Sequence, residues 1–193
     1  MARRHGVIST TFQNIIIDSG AVYKNYVSPA ALGTLLGATR GGNTFTIETE
    51  YKEIEVDGAH GPVKNGRRIT QVVAKLTANF LAIDKEAILL NLPGSSAANV
   101  GVTHKTFTRS LAIAAADYET NIVIVGEVAG SSNPIICGIS NAMCVGNMEI
   151  SFADKDESVL AVEFTGHFAP DALDTEPWIL LFPYDISTPT PAP

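Results

Sequence analysis

The chain has 193 residues, 46% hydrophobic and 17% charged, with a formal net charge of −7. That length suits one domain with a real core, and that composition excludes a disordered chain. The negative charge argues against a protein that grips nucleic acid through a basic surface, and no apolar run approaches the ~20 residues of a membrane-spanning helix. So few charges also predict that part of the surface is buried against other subunits.

Residues 1–12 lack periodicity and read as an arm of a single domain spanning 1–186. The basic start Met1-Ala2-Arg3-Arg4-His5 is followed by no apolar core of signal-peptide length, so a cytosolic protein is expected. Residues 14–26, with Ile15-Ile16-Ile17, predict a short first strand ending in a turn. Ser28-Pro29 followed by Gly37 predicts a two-turn helix between them.

Two long strands follow, at about 43–51 and 69–83. Phe45, Ile47 and Tyr51 alternate with Thr44, Thr46, Glu48 and Glu50; Val72, Ala74, Leu76, Ala78 and Phe80 alternate with Gln71, Lys75, Thr77 and Asn79. Period-two alternation of this length predicts a sheet with one dry and one wet face. The loop between them, 52–68, carries both charge signs and is longer than a hairpin turn needs, which points to a partner. Residues 84–92 predict a helix capped by Asp84 and stopped by Pro93-Gly94, with Ile88, Leu89 and Leu92 toward the sheet.

Residues 95–101 read as a small-residue loop, and 102–115 and 121–129 as strands. After a turn at 130–134, strands are expected at 135–140 and 145–152, the latter forming a hairpin with residues 159–168. In that hairpin Met148, Ile150, Phe152, Leu160, Val162, Phe164 and Phe168 take the dry side, and Glu149, Ser151, Glu163, Thr165 and His167 the wet side. Residues 171–186 read as a C-terminal arm, whose apolar patch at 178–182 suits docking onto a neighbour or a last edge strand. Residues 187–193 form a proline-rich tail expected to be disordered.

No catalytic or metal-binding signature emerges. His5, His60, His104 and His167 are far apart in sequence, and Cys137 and Cys144 lack zinc-site spacing, reading as buried free thiols or, if a hairpin sets them face to face, a disulfide. Gly37–Gly42 lacks the Gly-Lys-Ser/Thr ending of a phosphate loop and reads as a turn. Lys64, Arg67 and Arg68 are too small a basic cluster, in so acidic a chain, to be a nucleic-acid site.

An acidic strand, then Ile54-Glu55-Val56-Asp57-Gly58, a turn Gly61-Pro62-Val63-Lys64-Asn65-Gly66-Arg67-Arg68, and a second strand leading into a short helix together resemble the major tail tube protein of long-tailed bacteriophages. The element order is similar over about 13–170. The resemblance implies a mainly β (α+β) fold: a β-sandwich or barrel of tail-tube type, with one packed short helix and two long amphipathic hairpins that contribute to an oligomeric β-barrel. Hexameric rings would stack into a tube, with strands 43–51, 69–80, 146–152 and 159–167 lining the lumen. Glu48, Glu50, Lys75, Thr77, Asn79, Glu149, Ser151, Glu163 and Thr165 would then face the lumen, with Lys75 pairing to Glu48 or Glu50. Glu53, Glu55, Asp57, Lys64, Arg67 and Arg68 would mediate ring-to-ring contact.

The implied partners are further copies of the chain, tail terminator, tape measure and baseplate or tip proteins. Genome DNA would pass without specific binding, and no cofactor, metal, membrane or enzymatic step is expected. The place of action would be the virion tail, assembled in the host bacterial cytoplasm. Two alternatives stand: the inner tube protein of a contractile injection particle, and a monomeric β-sandwich module binding small molecules or carbohydrate. One Trp and five unclustered Tyr weigh against the module. An enzyme ranks third, because Glu48, Glu50, Glu149 and Glu163 show no cleft signal.

Overall fold

Residues 11–13, 15–152 and 154–183 are described by a computed structural model. They hold ten strands and one α-helix: β1 (Ala21–Lys24), β2 (Thr34–Gly37), β3 (Thr44–Glu53), β4 (Arg67–Phe80), α1 (Lys85–Asn91), β5 (Ser95–Val100), β6 (His104–Arg109), β7 (Glu119–Gly126), β8 (Ile135–Cys144), β9 (Leu160–Thr165) and β10 (Trp178–Leu181). The protein is therefore mainly β, and every paired strand is antiparallel.

The main sheet runs β2-β1-β7-β8-β9-β4-β3, with β10 also on β8. One edge of β8 takes β7, and its other edge is shared: residues 136–139 pair with β10, and Met143 and Cys144 with β9. The strand bends between these partners, at Asn141, whose φ is +47°. Beyond β2 the chain returns to the far end of β4, where Arg40 N–H donates to the Asn79 carbonyl at 2.9 Å and Leu81 N–H to the Ala38 carbonyl at 2.8 Å. The segment after β2 thus joins that end of the sheet to β4.

Alternation decides the core. Ala74, Leu76, Ala78 and Phe80 of β4 and Leu160, Val162 and Phe164 of β9 are buried, and they meet Val22, Ile122 and Ile139 of the opposite wall. The dry-side assignments in 72–80 and 160–164 hold. Burying those side chains at about 25 cal/mol per Å² of apolar surface is the main force holding the walls together.

Several expected elements differ. No helix follows Pro29: residues 28–31 form a turn and 34–37 are β2. Gly33 explains it, since its φ is +90° and a Cβ there would sit 2.2 Å from the Lys24 carbonyl oxygen. The first strand is Ala21–Lys24, while Ile16 makes an isolated bridge to Val128. Residues 95–101, expected as a loop, contain β5, and the strand expected at 102–115 is a turn, β6 and an irregular stretch. β8 continues through Asn141 to Cys144, and residues 145–152 are not a strand. Helix α1 turns inward not Ile88 and Leu92 but Ala87 and Asn91, with Leu90 against the core. Residues 178–181, read as a docking arm or a last strand, are a strand, β10, on the chain's own β8. Most of the N-terminal arm and the tail at 187–193 lie outside the described residues.

Candidate functional site

The longest ladder in the protein joins β3 and β4, from Thr44–Thr77 to Glu53–Arg67. Directly opposed residues point to the same side of a sheet, so the register assigns the two faces. Thr44 lies opposite Thr77, which lies opposite Glu163; Thr46 lies opposite Lys75, which lies opposite Thr165; Asn79 lies opposite Ala161. Glu48 and Glu50 continue that face opposite Val73 and Gln71. Seven expected wet-face residues, Glu48, Glu50, Lys75, Thr77, Asn79, Glu163 and Thr165, are therefore brought together on one face, turned away from the core.

The Lys75 ammonium sits 3.0 Å from Glu48 Oε1. That hydrogen bond, with the charge of Glu48 and Glu163, raises the Lys75 pKa above its ordinary value against the opposing effect of desolvation. Asn79 donates to the Gly42 carbonyl at 3.0 Å, which ties the turn after β2 to this face.

A bulge alters the far end of the hairpin. Glu50 pairs with Gln71 but Tyr51 pairs with Ile69, leaving Thr70 as the extra residue. The extra residue keeps the apolar side continuous: Ile69 joins Tyr51, Ile47 and Phe45 instead of the acids. It also puts Lys52 opposite Arg68 on the polar face. The polar face is consequently acidic around Lys75 and basic at its loop end, a segregation that parity counting in 43–51 and 69–80 missed. No local signal marks a bulge; it follows from fitting two apolar stripes together.

Half of this hairpin projects. Residues 67–71 are exposed on both faces, and Tyr51 and Ile69 retain 61% and 57% of their accessible surface. The strands extend further than expected, so Glu53, Arg67 and Arg68 belong to the ladder and the connecting loop is 54–66. Arg67 lies 3.7 Å from Glu53. Glu55, Asp57 and Lys64 are exposed and form no ion pair among the described residues. Ile54, Val56 and Val63 are exposed beside them.

The second expected hairpin is only half present. β9 has its ladder on β4, but Glu149 and Ser151 sit in an irregular segment outside any strand and join no face by pairing. In that segment Phe152 is 92% exposed and Ile150 also exposed. Arg40 binds Asp156 at 2.9 Å and also Glu157, anchoring its end. This holds the Asp156 carboxyl below its usual range.

Elsewhere, a cleft of about 590 Å³ lies between α1, the start of β5 and the ends of β7 and β8. Lys24 projects into it between Glu86 and Glu119, 3.4 Å from the latter. Burial pulls the Lys24 pKa down, but the two carboxylates outweigh it and the net shift is upward. Cys144 donates from Sγ to Asn91 Oδ1 at 3.7 Å, and burial raises the pKa of both thiols. Cys137 and Cys144 are free and lie along one strand, roughly 24 Å apart at ~3.4 Å per residue, so no hairpin faces them. His167 is not a solvated wet-face residue: it lies past β9, its Nδ1 is 3.1 Å from the Asn141 carbonyl, and its ring meets Tyr118 edge-on at 5.1 Å.

Among the described residues no group of three His, Cys, Asp or Glu side chains could hold a metal ion, and no helix is long and apolar enough to cross a membrane. No model of a known protein family matches the chain, and no curated protein matches it.

Proposed function

We propose that this chain is a structural virion protein, the tail tube subunit of a long-tailed bacteriophage. It polymerises as stacked hexameric rings around a partly acidic lumen through which genome DNA is ejected. The observation that carries this reading is the β3–β4 hairpin: it is exposed on both faces at its far end, and Glu48 and Glu50 line one of its faces, with Glu163 of the adjoining β9 on the same side. A monomer gains nothing from exposing Tyr51, Ile69, Ile54 and Val56 together, whereas a subunit buries them against its neighbours.

Two further features support it. Among the described residues β3 pairs with β4 alone, so among them its outer edge is open, and open edges are templates for pairing. Residues 148–152 keep strand alternation without a ladder and expose Ile150 and Phe152. In a ring, such a segment would gain a ladder from the next copy, and closing the barrel would remove every edge. Carboxylates on a lumen wall repel duplex DNA, which carries about one charge per ~1.7 Å of axis, so few sites would remain to stall it. Lys52 and Arg68 would lie at the loop end of the wall, beside the contact between rings.

The reading of a small-molecule-binding module rests on the cleft beside α1, lined by Lys85 and by Lys24, the latter already paired with Glu86 and Glu119. Negative-stain microscopy of the purified chain separates the two. Rings or tubes are expected; a protein that stays monomeric at high concentration removes the tube reading.

A further inference from the structure

The β5–β6 hairpin stands off the body with almost nothing packed on it. Apart from the half-buried rung Ala97–Phe107, residues 96–109 are exposed on both faces, and Val102 at its turn is fully exposed. Its side-chain hydrogen bonds Ser96–Thr108 and Lys105–Asn99 stay within it. Its base is held by Ser110 N–H on the Gly94 carbonyl, Arg109 Nε on the Pro93 carbonyl and Gly94 N–H on the Asp117 carboxylate. A lone two-stranded hairpin is marginal in water, so this one has reason to be covered.

Its charge says by what. Residues 87–116 contain Lys105 and Arg109 and no Asp or Glu. With −7 on the whole chain and +2 on this segment, the remainder carries −9. The hairpin is thus a basic arm on an acidic protein, with Val100 and Val102 exposed at its tip. A groove of matching chemistry, about 350 Å³, lies between β4 and the segment before β10: Ile69, Val72, Phe168 and Leu173 give it an apolar floor, and Asp174 and Glu176 an acidic rim.

We propose that the β5–β6 hairpin of one copy docks in this groove of a second copy. The inference rests on the self-assembly reading and names a contact within it. Arm and groove are different patches, so the contact is heterologous and closes into a ring or propagates as a filament. Val102 and its apolar neighbours fill the groove, and Lys105 faces Asp174.

The test compares the full-length chain with three single variants by sedimentation velocity across a concentration series. Val102→Asp is expected to raise the half-assembly concentration about tenfold or more while leaving the melting temperature unchanged, because the side chain touches nothing in the monomer. Lys105→Glu and Asp174→Lys should each raise it severalfold, and the chain carrying both should return to roughly the wild-type value. If the wild type assembles and Val102→Asp assembles equally well, the hairpin serves another partner and the docking proposal falls while the tube reading stands. A wild type that never assembles overturns both.

Discussion

Lys75 and Glu48 form a diagonal pair across β3 and β4, their charged atoms 3.0 Å apart on the face turned away from the core. Lys75 is the cation hydrogen-bonded within the stretch of Glu48, Glu50 and Glu163, and so it tempers how acidic that stretch is. Replacing Glu50 and Glu163 by Lys should leave the monomer folded and tubes intact, because both side chains stay on a solvated face. DNA release from assembled particles should slow as phosphate contacts appear. Unchanged release at low salt would remove the face from the lumen wall.

Reversal of Arg67 and Arg68 to Glu tests the loop end of the hairpin. Both side chains are exposed, and among the described residues the one ion pair lost is the loose Arg67–Glu53 contact. The melting temperature should move by no more than a few degrees. Tube growth should stop at rings. Normal tubes with both reversals would show that this end does not join rings.

Asn91 is the buried polar residue that fastens α1 to the sheet, donating to the Ala161 carbonyl at 3.2 Å and accepting from Cys144. Asn91→Ala should cost about 1–3 kcal/mol, since a buried carbonyl loses its donor. Urea unfolding reads this directly. An unchanged midpoint would mean that water replaces the amide.

Lys24 links β1 to α1 through Glu86 and to β7 through Glu119. Its pKa is raised on folding, so its contribution is complete below the unfolded value of about 10.4 and is lost as pH rises through the higher folded value. Lys24→Met should lower the melting temperature near neutral pH and abolish that alkaline part of the stability profile. A Met variant that keeps the same loss above pH ~10.4 would assign it to another group.

The sequence by itself determined which side chains are dry in β4 and β9, though not in β3, where Ile47 and Tyr51 are exposed. Leu76, Ala78 and Phe80, then Leu160, Val162 and Phe164, are buried as their period of two requires, and Asp84 caps α1 by accepting from Ala87 N–H. These are local properties, because parity and capping need only the residue and its near neighbours. The tertiary structure decided which alternating segments become strands and how two of them align. Met148-Glu149-Ile150-Ser151-Phe152 alternates as well as 44–48 does, yet it has no ladder, because a strand exists only where a second backbone supplies donors and acceptors. The bulge at Thr70, the bend at Asn141 and the inward face of α1 have the same origin. Each is settled by distant partners, Tyr51, His167 and Ala161, whose positions no local pattern contains.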